Sequence, residues 1–266
     1  MKRDNAIAAI AREFGDLKPG QVAGIEAILD ECAGMEISHA AACLGTAWLE
    51  TGGGMQPVKE TVYPWSKTRN PPDATVAARL EKAFKDGKVK TPYWRKDADG
   101  KYWFGRGLAQ VTWKDNYRRA SAIVGVDLVA KPDLALDLQI AAKVLVQGSA
   151  AGLFTGKKLV DFLPGDYANA RRVINGTDRA SEYAGLCRKF ETALATAGWN
   201  ARPNIKPLPR PKPPAAKTQG GKTIAAIIAA AIAAAMAAAM AALALWWAST
   251  KAAICALPII SIICGG

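Results

Sequence analysis

The 266-residue sequence predicts a mainly α-helical domain, followed by a linker and a C-terminal hydrophobic helix. Three observations predict it. Apolar residues recur at three- and four-residue spacing in several stretches of the first 200 residues, alternating strand patterns are scarce, and the composition changes abruptly near residue 200. The expected organisation is a domain over 1–200, a Pro/Lys-rich linker over 201–222, a transmembrane helix over 223–249 and a short apolar tail over 250–266.

In chain order, Val22, Ile25, Ile28 and Leu29 form the first clear stripe, preceded by Pro19-Gly20 as a start signal. Ala40, Cys43, Leu44, Ala47 and Trp48 form the second, with Ser38 as its N-cap. Two more run over 134–153 and 183–197, and long irregular loops are expected at 51–75 and 88–106. Prolines at 203, 207, 209, 211, 213 and 214 exclude helix and central strand, leaving an extended spacer. Ile224 to Ala248 then carry no charge; as a helix they would span roughly 37 Å, enough to cross a hydrocarbon core of about 30 Å. Trp246-Trp247 stand where an interfacial anchor belongs, and Lys217 and Lys222 flank the other end. A membrane partner through this helix is therefore expected, with the basic linker on the cytoplasmic side. The apolar run from Ala252 to Cys264, broken by Pro258, is too short to span.

Formal net charge is +12, and every Asp and Glu precedes residue 199. The front part carries +5 of this and the remainder +7. A basic balance favours an anionic polymer or surface. Nucleic acid is not expected, because paired CxxC motifs, RNA-recognition motifs and basic helices with heptads are missing. Protein partners are left undetermined. Cys32, Cys43, Cys187, Cys255 and Cys264 show no framework spacing, which suits buried thiols in a reducing compartment. Ala6 to Ile10 are too short for a signal-peptide core, so no cleavable signal is read. With His39 as the single histidine, a His-based metal site or Ser-His-Asp triad lacks parts, and neither metal nor cofactor is expected.

The helix from Ser38 runs out in Ala-Trp-Leu-Glu50-Thr-Gly-Gly-Gly54. A carboxylate there lies at the negative end of the helix dipole, beside Trp48 and Leu49, a setting that favours its protonated form. Glycines beside it let a polymer approach the backbone. A glycosidase needs such an acid to protonate the leaving oxygen, although a surface glutamate would look the same. Residues 102–117 read YWFGRGLAQVTWKDNY, aromatics followed by polar side chains at Gln110, Thr112 and Asn116. Aromatic faces stack on sugars and amides bond acetamido groups, so Trp103, Arg106, Gln110, Asn116 and Tyr117 are candidate substrate contacts. Trp65, Trp94 and Trp113 join Trp103 as platforms or core. The pairs Arg118-Arg119 and Arg171-Arg172 read as solvated faces.

Glu50-Thr-Gly-Gly53, Phe104-Gly-Arg-Gly-Leu-Ala-Gln-Val-Thr112, Asn116-Tyr117, Val126-Asp127-Leu128, Lys131-Pro-Asp-Leu134 and Ile174-Asn175-Gly176 occur in this order. Over about residues 30–197 the sequence resembles the family 19 chitinases and the related phage endolysins. The resemblance implies a lysozyme-like, two-lobed helical fold with a cleft between the lobes. It implies Glu50 as general acid, Thr112 as holder of the attacking water, Gln110 and Asn116 as cleft lining, and Asn175 as a substrate contact. An inverting enzyme needs a second carboxylate roughly 6.5 to 9.5 Å away. Glu60 stands where the endolysin branch places it, with Glu81 and Asp73 as alternatives. Leu49 replaces the His of many relatives, Thr177 a second Gly, and Tyr183 an Arg of the plant enzymes, with Arg179 nearby. The expected function is cleavage of β-1,4 bonds between amino sugars of peptidoglycan by a phage lytic enzyme held at the host inner membrane. Chitin, or glycan binding without catalysis, are the alternatives.

Overall fold

The computed structural model describes residues 3–60 and 70–199. The stretches expected to form the linker, the hydrophobic helix over 223–249 and the tail over 250–266 lie outside the described residues, as does Trp65. Among the described residues no helix is long and apolar enough to cross a membrane.

The chain is mainly helical, as expected. Among the described residues its α-helices are α1 (Arg3–Phe14), α2 (Pro19–Glu31), α3 (Ile37–Glu50), α4 (Asp73–Lys85), α5 (Lys114–Val124), α6 (Leu138–Ala151), α7 (Tyr167–Ala170) and α8 (Ala180–Thr196). Two short strands, β1 (Val58–Lys59) and β2 (Arg106–Gly107), pair antiparallel with Val58 opposite Gly107 and Lys59 opposite Arg106.

Two expectations about helix ends are corrected. Ser38 is not the cap of α3: the helix starts at Ile37, and Ser38 is buried inside its first turn, its Oγ unpartnered among the described residues. The apolar stretch over 134–153 is broken, because Asp137 accepts from the N–H groups of Gln139 and Ile140, both at 3.0 Å, and caps a new helix. Pro132–Leu136 before it form a 3-10 turn. The loop expected at 51–75 ends early, since α4 begins at Asp73 and buries Val76, Leu80 and Ala83 on one face. The stretch from 88 to 105 is irregular, as read from the sequence.

Buried side chains gather into a large core and two smaller ones, giving two lobes. The large core joins α1, α2, α3 and α8 with one face of α6. Helices α3 and α8 approach closely because Gly45 has no side chain; a Cβ there would stand 2.6 Å from the Cys187 sulfur. On the other side, Tyr117, Ala120 and Val124 of α5 pack with Trp103, Val111 and Val144. Val76 and Leu80 of α4 pack with Trp94 and Phe104. Truncating a residue such as Leu44, fully buried on α3, would cost about 2–5 kcal/mol. The larger lobe therefore fixes the end of α3, and the smaller one fixes the ribbon of β1 and β2.

Candidate active site

Glu50 is the last residue of α3. The turn after it is tied down locally. Thr51 Oγ donates to the Ala47 carbonyl at 2.6 Å and accepts from the Met55 N–H at 2.8 Å, while the Gly53 N–H returns to the Trp48 carbonyl at 2.7 Å. The Gln21 side chain of α2 holds the Gly53 carbonyl at 2.8 Å. The apolar setting read for Glu50 is not what surrounds it. Trp48 stacks away from it, on Phe14 and near Phe190, and Leu49 is buried in the core. The Glu50 carboxylate instead accepts from the Arg171 guanidinium at 2.6 Å.

Arg171 is only 3% exposed and also donates to the Asp178 carbonyl at 3.2 Å. The reading of Arg171 as a solvated residue is thus corrected, whereas Arg172 beside it is exposed. Tyr183, which stands where plant relatives carry Arg, is buried with its hydroxyl 3.3 Å from the Ala42 carbonyl. Arg179 bonds Glu182 bidentately. Arg171 is therefore the cation that bonds Glu50, from a position four residues before Asn175.

Glu60 follows β1, and its N–H bonds the Gly105 carbonyl at 2.7 Å. Its carboxylate accepts the Gly105 N–H at 2.9 Å on one oxygen and the Tyr93 hydroxyl on the other. A Cβ at Gly105 would lie 2.7 Å from the Gln110 side-chain oxygen and 3.3 Å from the Glu60 carboxylate, so a larger residue there would shift both side chains. Burial holds the Glu60 carboxyl above its ordinary range; the two hydrogen bonds oppose this, and the Glu50 charge adds to it. Burial, the Glu60 charge and their hydrogen bond push the Tyr93 phenol up, so it remains a donor. Trp113, half exposed at 49%, leans on Tyr93 with ring centroids 5.6 Å apart.

Of the polar residues proposed for the cleft, Thr112 is half-buried and donates to the Gln110 carbonyl at 2.9 Å, which leaves its lone pairs for a water proton. Gln110 is drawn into the ribbon, its amide N–H groups bonding the Val58 carbonyl at 2.9 Å and the Gly107 carbonyl at 3.0 Å. Asn116 is half-buried on α5, and Asn175 is exposed, its side chain accepting the Gly176 N–H at 2.8 Å.

Three candidates are corrected by burial. Trp103 is 4% exposed and spends its indole N–H on Asp97, so neither face is open to a sugar. Tyr117 is fully buried, and its hydroxyl bonds the Phe104 carbonyl and Arg106. Arg106, 1% exposed, is saturated by Asp73, Asp133, the Tyr102 carbonyl and Tyr117. Of the alternative bases, Asp73 is consumed by Arg106 and Lys59, and Glu81 by Arg95 and Trp94. His39 is half-buried near the start of α3, and burial lowers its imidazole. Among the described residues no cluster of potential metal ligands occurs.

Residues 27–147 match the family model for glycoside hydrolase family 19, class I chitinase. That stretch is similar to the family 19 chitinases. Endochitinase CH5B of Phaseolus vulgaris is 33% identical over 94 residues, covering 35% of this chain and 26% of that protein. Endochitinase 1 of Theobroma cacao is 51% identical over 37 residues, 14% of this chain and 12% of its own. The chain thus spans about a quarter or less of these relatives' length. Among solved structures, chitinase C from Streptomyces griseus HUT6037 is 18% identical with a TM-score of 0.46, covering 74% of this chain and 78% of its own. The matched segment holds Glu50, Glu60, Tyr93 and Thr112, while Arg171 and Asn175 come from beyond it.

Proposed function

We propose that the chain is an inverting glycoside hydrolase that cuts β-1,4 bonds in an amino-sugar polymer. The observation that carries this is a pair of partly buried carboxylates held in place by different donors, Glu50 at the end of α3 by Arg171 at 2.6 Å and Glu60 beside the ribbon by Tyr93 and the Gly105 N–H. Glu50 donates its proton to the leaving oxygen as the C1–O bond breaks. Glu60 removes a proton from water held at Thr112 as the new C1–O bond forms on the opposite face. Tyr93 and Gly105 support Glu60 in this role by fixing both its oxygens, and burial makes it the stronger base.

Peptidoglycan is the preferred polymer. Chitin is uncharged, so a +12 chain gains nothing from long-range attraction to it, whereas wall glycan carries carboxylates. The lytic enzyme of a phage would meet that substrate, and the apolar stretch over 224–248 would hold it at the host inner membrane. Protease treatment of spheroplasts tests that location: digestion of a soluble, unattached chain would overturn it.

One observation favours exchanged roles for the carboxylates. Arg171 sets a full positive charge against Glu50, whereas Glu60 meets only neutral donors and burial raises its carboxyl. Azide separates the two readings, because a small anion replaces the base and not the acid. With purified sacculi, azide is expected to restore activity to Glu60→Ala and not to Glu50→Ala; the reverse pattern exchanges the roles. If neither Glu50→Gln nor Glu60→Gln alters release of reducing ends, the hydrolase reading fails.

A further inference from the structure

Lys59 and Glu60 are consecutive and turn to opposite faces of the extended chain. Glu60 meets Tyr93 and Gly105; Lys59 meets Asp73 at 2.7 Å and Asp133 at 3.3 Å. Behind the ribbon, on this second face, lies a cavity of about 380 Å³. Its floor is Arg106, Asp73 and Asp133, and its walls include Lys96, Lys101, Tyr102 and Lys131.

The charges of this cavity do not balance. Arg106 and Lys59 each bond both Asp73 and Asp133, so the two carboxylates are matched by the two buried cations. Three lysines are left over. The Lys96 ammonium lies over the Tyr102 ring at 5.3 Å. Lys101 is held by the Val129 and Ala130 carbonyls at 2.7 and 3.0 Å and makes no ion pair among the described residues. Lys131 enters no ion pair among the described residues, and residues 1–2, 61–69 and 200–266 contain no Asp or Glu to supply one. Three like charges around one concave wall repel each other, and an anion relieves that repulsion.

The cavity also offers acceptors. Asp133 is 59% exposed, and each of its oxygens retains a lone pair after bonding Arg106 and Lys59. A bare phosphate offers no amide N–H groups to Asp133 and no aliphatic surface to Tyr102. A ligand with carboxylates for the lysines, amide N–H groups for Asp133 and aliphatic surface for Tyr102 satisfies the whole lining.

We infer that this cavity binds a short acidic peptide, of the kind that branches from the glycan strands of peptidoglycan. The inference deepens the proposed function and rests on peptidoglycan as the polymer. A site of this kind would select peptide-bearing glycan over chitin, from the face of the ribbon opposite to Glu60.

Calorimetric titration of the full chain with the dipeptide L-alanyl-γ-D-glutamate tests it. Saturable binding is expected, weakened about tenfold in a Lys96→Ala/Lys131→Ala variant, whose lysines lie outside the catalytic pair. Chitotetraose is expected to show no such dependence on these lysines. Absence of saturable dipeptide binding, or binding that the double variant leaves unchanged, overturns the inference. Inorganic phosphate binding as tightly, with the same loss in the variant, also overturns it in favour of a simple anion site. Release of reducing ends is measured alongside, on intact sacculi and on glycan strands stripped of peptide. Dipeptide binding without hydrolysis of either leaves the cavity assigned and removes the hydrolase. Equal hydrolysis of both by wild type and double variant removes the peptide site and keeps the hydrolase.

Discussion

Glu50 and Glu60 are close in sequence, yet different chemistry holds them. Glu50 ends a helix of the larger lobe and is gripped by a full positive charge, Arg171, brought from 121 residues away. Glu60 stands beside a two-stranded ribbon of the smaller lobe and is held by neutral donors, a phenol and a backbone N–H. A guanidinium balances charge on its partner, whereas a neutral donor orients a carboxylate and leaves burial free to act. At Glu60 burial therefore outweighs the two donors, and its carboxyl is displaced upward. Acid and base chemistry at one pH requires two carboxyl groups in unlike surroundings, and the two lobes supply them.

The largest expected effect tests whether both members are needed. Glu50→Gln and Glu60→Gln should each lower kcat on sacculi by about 10²–10⁴-fold, the range for loss of one general acid or base. A variant retaining wild-type turnover would remove that residue from the pair.

Next comes the grip on Glu50. Arg171→Met deletes a charge-assisted hydrogen bond and should cost about 1.5–3 kcal/mol in urea unfolding, together with a tenfold or greater loss of kcat as Glu50 moves. Arg172→Ala, at its exposed neighbour, should stay within about 0.5 kcal/mol of wild type. Equal effects of the two substitutions would erase the contrast between a charge-held and a donor-held carboxylate.

This contrast was only partly legible in the sequence. Helices α2, α3 and α8 were readable because their apolar stripes are long and regular, and Glu50 was readable because it closes one of them. Arg171 was hidden: two adjacent arginines carry no sign of which one is buried, and that is decided by the packing of α8 against α3. A hint lay in its spacing of four from Asn175. Tyr93 had no local signal, since an aromatic in an irregular stretch reads equally as core or surface. Trp103, Arg106 and Tyr117 misled for the opposite reason. Residues that suit a sugar cleft also suit a small core built around a buried guanidinium, and composition does not tell the two apart.

A smaller effect probes the donors on Glu60. The Tyr93 hydroxyl lowers the Glu60 carboxyl against the upward push of burial. Tyr93→Phe removes it, so the carboxyl should rise further. With Glu60 as base, the acidic limb of the pH–kcat/KM profile should move to higher pH, with a loss of about tenfold or less at the optimum. An unmoved acidic limb would detach Tyr93 from the titration of Glu60.

The smallest effect is on stability, and its sign tests the burial of Glu60 directly. A carboxyl raised on folding binds its proton more tightly in the native state than in the unfolded chain. Between the ordinary glutamate value, near 4.5, and the higher folded value, the native state therefore holds more protons, and stability falls as pH rises through that window. Glu60→Gln removes the titrating group while keeping an oxygen for the Gly105 N–H. Its stability relative to wild type should thus increase from pH 4 to pH 7, although the variant is nearly inactive. Thermal unfolding at both pH values measures the gap. A gap that is absent, or that widens towards low pH, would mean that burial does not dominate at Glu60.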